Sequence, residues 1–263
     1  MAVSSSTNQF SLLHRVTSRI SRSLNFPYTS RRGLTKGLKR RGGLGFLPGG
    51  TPTAEEDFLR TLDLKGKTVF DIGGFVGLMT IFFASRAARV ITFEPLPASR
   101  SKIRDNLMLN RFDNVTLRDV AVGAGPGELR IVYNELMSGG ATGDPEIGGE
   151  LTAGAAKPKS CVVPVTTIDL EIEAGQAVPD FVKIDVEGME YSVLCGMRKL
   201  LASRKPWLYL ELHGTTPEDK QKNAQDVIQA MRDAGYEVYD VENARIIGPA
   251  EPISGKESHV FGQ

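Results

Sequence analysis

Val69-Phe70-Asp71-Ile72-Gly73-Gly74-Phe75-Val76-Gly77 is the stretch on which the fold turns. A short β-branched and aromatic run, Lys67–Ile72, ends at an acid, a glycine-rich turn follows, and Phe75–Arg86 reads as a buried helix. Such a turn lets backbone approach a ligand closely, and the helix N-terminus beyond it offers N–H groups to an anion.

Two ligand classes use this geometry, and the spacing separates them. A dinucleotide site needs G-x-G-x-x-G to accommodate a pyrophosphate. Counted from Gly73, the second and third glycine positions are Phe75 and Leu78; counted from Gly74, the second is Val76. The dinucleotide pattern fails in both registers. What remains is D-x-G-x-x-x-G, from Asp71 through Gly73 to Gly77, which suits S-adenosylmethionine (SAM). Its carboxylate would meet the helix N-terminus while acids receive its amine. The turn as a whole, Gly73, Gly74, Phe75, Val76 and Gly77, is therefore the expected cofactor loop.

The chain then alternates. Arg89–Glu94 reads as a strand, Pro97–Asn110 as a helix with proline in its first turn, and Val115–Val122 and Glu128–Tyr133 as strands. Residues 134–160 carry six glycines and no regular period, as expected of a loop or a lid over the site. Cys161–Thr166 and Asp180–Asp185 resume strand character, and Val193, Leu194, Met197, Leu200 and Leu201 follow at helical spacing. Pro206–Leu212 is a strand. Thr216 and Pro217 open a helix that Gly235 closes, and Tyr236–Val241 and Val260–Phe261 end the chain as strands. Strands alternating with helices mean right-handed βαβ units and a parallel, doubly wound sheet, with closely spaced late strands forming an antiparallel edge.

In such a sheet, the carboxyl ends of the strands converge on one crevice. The second strand ends in Glu94-Pro95, where an acid can accept ribose hydroxyls, and Asp119-Val120 would lie near an adenine edge. Asp185, Glu187, Glu211 and His213 end two later strands. An aliphatic hydroxyl that receives a methyl group must lose its proton, so a general base is useful there. His213 or Asp185 is the expected base, with Glu187 and Glu211 orienting the acceptor. The same carboxylates could hold Mg²⁺, which prefers oxygen ligands, although no metal is needed for the chemistry.

Composition narrows the class further. Residues 1–54 carry nine Lys/Arg and no acid, while the remainder has 23 bases against 31 acids. A basic arm thus precedes an acidic domain over residues 55–263. Part of the arm is expected to be mobile, and its Ser/Arg-rich start also fits a targeting segment. Cys161 and Cys195 have no metal-ligand spacing and read as small apolar residues. Phe75–Ala84, the longest apolar run, is far short of the roughly 20 residues that span a bilayer, so a cytoplasmic protein is expected.

Val69–Thr80, Phe93-Glu94-Pro95, the run Asp180–Gly196 (DFVKIDVEGMEYSVLCG) and Trp207–His213 together resemble the FkbM-type methyltransferases. The likeness extends over roughly residues 55–263. It implies the class I SAM-dependent fold, a Rossmann-like, mostly parallel sheet of seven strands with an antiparallel edge. It also implies that Asp71, Gly73 and Glu94 contact SAM and that Asp185 lines the methyl-transfer pocket. The family typically O-methylates sugars, polyketides and related metabolites, so the expected partner is a small-molecule or sugar hydroxyl. Two rivals stand beside it. A nucleic-acid methyltransferase is motivated by the basic arm, but base methylation generally uses Asn/Asp-Pro-Pro-aromatic where this chain reads Asp185-Val186-Glu187-Gly188, and the arm is read as lacking interleaved aromatics for base stacking. A non-catalytic SAM-binding scaffold is the other.

Overall fold

The computed structural model describes residues 26–43, 45–133, 141–142, 159–214, 216–249, 251 and 258–263. The strands run β1 (Tyr28–Thr29), β2 (Lys39–Arg40), β3 (Thr68–Ile72), β4 (Arg89–Phe93), β5 (Val115–Arg118), β6 (Ala121–Val122), β7 (Gly127–Tyr133), β8 (Ala141–Thr142), β9 (Lys159–Thr166), β10 (Phe181–Ile184), β11 (Trp207–Glu211), β12 (Val238–Asp240), β13 (Arg245–Ile246) and β14 (His259–Gly262). The helices are α1 (Ala54–Thr61), α2 (Leu78–Ala84), α3 (Pro97–Asn110), α4 (Ile168–Glu173), α5 (Glu190–Cys195), α6 (Arg198–Ser203) and α7 (Pro217–Asp233).

The main sheet has the order β13-β12-β14-β11-β10-β3-β4-β5. Strands β11, β10, β3, β4 and β5 are parallel, and β14, β12 and β13 join them antiparallel. The α/β, mostly parallel class read from the sequence is the observed one, with the two-residue β13 added to the seven strands expected. Both faces are covered. Phe70, Ile72, Val182, Ile184, Leu208 and Leu210 point to the side packed by Val193, Met197, Val227 and Ile228. Val69, Phe181 and Tyr209 point the other way, against Leu59, Phe82 and Phe83. Each such aliphatic or aromatic side chain contributes about 1.5–3 kcal/mol by leaving water, and burial on both faces is what a parallel sheet requires.

The expected caps of α7 are present. The Thr216 side chain accepts from the Asp219 N–H while the Asp219 side chain reaches back, Pro217 opens the helix, and Gly235 follows its end at φ +80. Three segments depart from the sequence reading. The run Val115–Val122 is two strands, because the chain leaves the main sheet at Asp119-Val120 and joins a second sheet of order β6-β9-β7-β8. The expected helix after β10 is two short helices broken at Gly196, which lies so close to the Gly123 carbonyl that a Cβ would sit 2.0 Å from it. The helix expected from Phe75 begins at Leu78, since the glycine turn takes up Gly73 to Gly77. The expected loop at 134–160 lies outside the described residues apart from Ala141–Thr142, which pair with β7, and the opening of β9.

The basic arm is tied to α3 around Lys39–Arg41. The Lys39 N–H and carbonyl both bond the Asn110 amide (2.8 and 2.6 Å), and the Arg41 N–H donates to Asn106 (2.9 Å). The arm does carry aromatics among its basic residues, contrary to the sequence reading: Phe26, Tyr28 and Phe46 pack their rings on one another at 5.4–5.9 Å.

Candidate active site

Register alone aligns the site. Ile72 pairs with Phe93 and Ile184, Ile184 with Leu210, Phe93 with Arg118, and Glu211 with His259. The next residues therefore form one row across the sheet's carboxyl edge: His259, Glu211, Asp185, Gly73, Glu94, Asp119. The chain order reverses between β10 and β3, so Asp185 and Gly73 flank the switch point at which ligands enter such sheets. They touch there: a Cβ on Gly73 would fall 1.8 Å from the Asp185 carbonyl oxygen, and Gly73 has φ +84. Only glycine fits this position without moving backbone.

A cavity opens above this row. Of the residues singled out in the sequence, Gly73, Phe75, Glu94, Pro95, Val120, Asp185, Glu187, Glu211 and His213 line it. Phe93, Leu96, Val122 and Met189 add apolar wall, and Leu129 and Ile131 of β7 close one side from the second sheet. That sheet, and hence this wall, was not foreseen. Among the other expected binding residues, Gly74 packs against Thr92 and Ile103, Val76 lends its carbonyl to Asn106, and Gly77 caps α2 at φ +82. Asp119 is exposed and stands off the wall.

Asp71 is fully buried beneath the turn rather than on the wall. Its Oδ2 accepts from the Thr80 hydroxyl at 2.6 Å, and its Oδ1 lies 3.6 Å from Lys183 Nζ. Lys183, 3 % exposed, donates to the Gly73 carbonyl and to Asp185 Oδ2, both at 3.0 Å. One buried ammonium thus ties the strand-end acid, the glycine turn and the cavity acid together. Burial works against that charge, but Asp185 and Asp71 outweigh it and hold the ammonium above its ordinary range. Burial pushes the Asp71 carboxyl up, with Lys183 and Thr80 pulling the other way.

The turn's N–H groups are largely spent within the protein. Gly73 and Gly74 donate to the Phe93 carbonyl (3.0 and 3.3 Å), Gly77 to Gly74 (2.8 Å), and Phe75 to Glu94 Oε2 (2.8 Å). The open anion cradle expected from the sequence is mostly closed by its neighbouring strand. Glu94 also accepts from the Leu96 N–H at 2.8 Å, which leaves each oxygen a further lone pair toward the cavity. Burial pushes its carboxyl up to about 7 against these two hydrogen bonds.

At the other end of the cavity, His213 meets four carboxylates. Its Nδ1 is 3.2 Å from the fully buried Glu190, and its Nε2 is 3.4 Å from Glu211, 3.7 Å from Glu187 and 3.9 Å from Asp185. Burial disfavours the imidazolium, but bonds to Glu190 and Glu211 and the charge of Glu187 raise His213 to about 11. It is therefore cationic at neutral pH, whereas a general base must be free of its proton. Glu187 has φ +53, uncommon for a residue with a side chain, and burial together with Asp185, Glu211 and Glu190 raises it to about 7. Glu211 is shared between histidines: its second oxygen lies 3.7 Å from His259, which is also bound by Glu242 and stacks on Tyr209. His259 escaped the sequence reading. Asp185, Glu211 and His213 bring one ligand atom each within 4.8 Å of one another, the set among the described residues that could hold a metal ion.

The switch-point crevice, with a glycine turn on one strand and an acid on the next, is an arrangement that the class I methyltransferase fold shares. The model of the FkbM methyltransferase domain matches residues 71–238, and the chain belongs to that family. An FkbM methyltransferase from Methylobacillus flagellatus KT is 15% identical with a TM-score of 0.49, over 75% of this chain and 44% of that one. The chain thus spans less than half the length of that relative. A precorrin-6y C5,15-methyltransferase from Geobacter metallireducens GS-15 is 18% identical (TM-score 0.40; 68% and 67% covered). Aeropyrum pernix fibrillarin in complex with SAM is 11% identical (TM-score 0.43; 76% and 67% covered). A comparison with curated protein sequences finds no match. Among the described residues, no helix is long and apolar enough to cross a membrane.

The residues fit the methyl donor. The side-chain-free approach at Gly73, the half-satisfied Glu94 and the apolar wall of Phe93, Leu96 and Val120 would hold its adenosine end. Replacing Gly73 by Ala should weaken SAM binding at least about tenfold, because the turn must shift to relieve a backbone clash. Calorimetric titration checks this, and undiminished affinity would remove the turn from the binding site.

Proposed function

We propose that this protein is an O-methyltransferase, moving the methyl group of SAM to a hydroxyl of a small molecule or sugar. Bound SAM supplies an electrophilic methyl group on a cationic sulfur; the protein's task is to place the hydroxyl and remove its proton. The observation that carries the reading is the group Asp185, Glu187, Glu211 and His213 at the cavity end next to Gly73. A carboxylate near 7 is well matched to accepting a hydroxyl proton at neutral pH, which favours Glu187 over His213 as the base. The imidazolium of His213, held from behind by Glu190, donates to the acceptor's oxygens or to Glu211, and Asp185 and Glu211 accept from neighbouring hydroxyls. Positioning of this kind can supply much of the barrier reduction. No step requires a metal, although the Asp185–Glu211–His213 set leaves room for Mg²⁺.

In this reading, residues 1–54 are an arm whose described part is fastened to α3, and residues 55–263 are the catalytic domain of a cytoplasmic enzyme. Titration with SAM, S-adenosylhomocysteine and NAD is the direct test. Micromolar binding of the two adenosyl-sulfur ligands, without NAD, followed by methyl transfer to alcohols, is expected. A folded protein that binds neither would leave only the scaffold reading.

A further inference from the structure

Among the described residues, five titratable side chains line the cavity, and four are acids: Glu94, Asp185, Glu187 and Glu211 against His213. The cations behind the wall do not redress this. Lys183 is engaged by Asp71, Asp185 and the Gly73 carbonyl. His213 already faces Glu190 as well as three wall carboxylates. His259 is shared by Glu211, Glu242 and Glu55. Arg100 donates to the Glu94 and Pro95 carbonyls and does not itself line the cavity. The basic arm lies along α3 through Asn106 and Asn110, and none of its described residues reaches the cavity wall.

We propose that this cavity selects its acceptor by charge: it accepts hydroxyl compounds that are neutral or bear an amine and rejects those bearing phosphate or carboxylate. The inference rests on the O-methyltransferase reading and narrows it. A SAM molecule adds one net positive charge, which leaves acids in excess around the acceptor. An anionic group placed beside Asp185, Glu187 and Glu211 meets like charges in a partly water-excluded space, where such repulsion is less screened than in bulk water. An ammonium in the same place is attracted, and uncharged hydroxyls find acceptors. Polynucleotides, which bring a phosphate with every nucleotide, are excluded with the other anions.

The test begins with SAM calorimetry on the full chain. It continues with methyl transfer from labelled SAM to matched sets of alcohols: hexoses and inositol, their amino-deoxy forms, and their phosphates and uronic acids. Neutral or amine-bearing members should lead their anionic partners by at least about 100-fold in kcat/KM at low salt. Glu211→Gln and Glu187→Gln should each narrow that ratio, a comparison internal to each variant and so insensitive to lost activity. Equal or better use of a phosphate or carboxylate member overturns the proposal. So does a preference for anions that appears with Mg²⁺ and vanishes with a chelator, which would place a cation on Asp185, Glu211 and His213. Failure to bind SAM defeats the parent reading first; SAM binding with no alcohol methylated in any set defeats both.

Discussion

Lys183→Met should destabilise the protein by about 3–5 kcal/mol at neutral pH, the usual result of removing one partner of a buried ion pair. The substitution fills similar space with a flexible apolar chain, so lost packing contributes little. What it leaves is a fully buried Asp71 whose Oδ1 has no other ion-pair partner among the described residues, and a Gly73 carbonyl and Asp185 carboxylate that have lost the Lys183 donor. The pH dependence separates this cause from a packing defect. Asp71 in the variant must take up a proton on folding, so its folded-state value lies above the unfolded one. The variant's deficit should therefore grow as pH rises above the ordinary carboxylate range and shrink as pH falls toward it. Lys183→Met with Asp71→Asn should recover part of the loss. Denaturant titrations at two pH values decide the matter, and a loss under about 1 kcal/mol at neutral pH would show the ammonium to be dispensable.

Lys183 also shows how far the sequence could be read. In Phe181-Val182-Lys183-Ile184 a lysine interrupts a strand that lies at the centre of a parallel sheet and is buried on both faces. Such a charge must be paired, and its register partner Asp71 was already in view, so the signal existed locally. The acids of the carboxyl edge were legible for the same reason: every parallel strand ends on one side, and the residue after each strand is forced into the same row. His259 was not legible. It reaches Glu211 only because β14 inserts antiparallel between β11 and β12, a pairing that no local pattern announces. The second sheet was hidden similarly, since β7 and β9 read as ordinary strands and nothing in their alternation says that the chain has left the main sheet. The turn was misjudged in one respect. Its glycines announce close approach, but whether their N–H groups stay open depends on acceptors from β4, twenty residues on.

Glu187→Gln should lower kcat by about 10²–10⁴-fold, the range spanned by general bases, while leaving SAM affinity within a few-fold of the parent. Glutamine keeps the size and the positive φ of residue 187 but cannot accept the hydroxyl proton. In the parent enzyme, kcat/KM should rise with pH and reach half its plateau near 7, since the base acts only when ionised. A bound cationic donor favours the carboxylate, so the rise in kcat should sit at lower pH than the rise in kcat/KM. The variant should lose the rise altogether. Stability runs in the opposite direction, which keeps the test clean. The folded state raises the Glu187 carboxyl above its unfolded value, so ionising it costs stability as pH climbs through that interval. Above pH 7, Glu187→Gln should thus unfold at an equal or higher denaturant concentration than the parent, with its activity nearly gone. A variant that keeps its turnover and its pH profile would take the base away from Glu187. The proton would then have to leave through Asp185, which shares the His213 end of the cavity with Glu187 and, unlike Glu211, is not shared between two histidines.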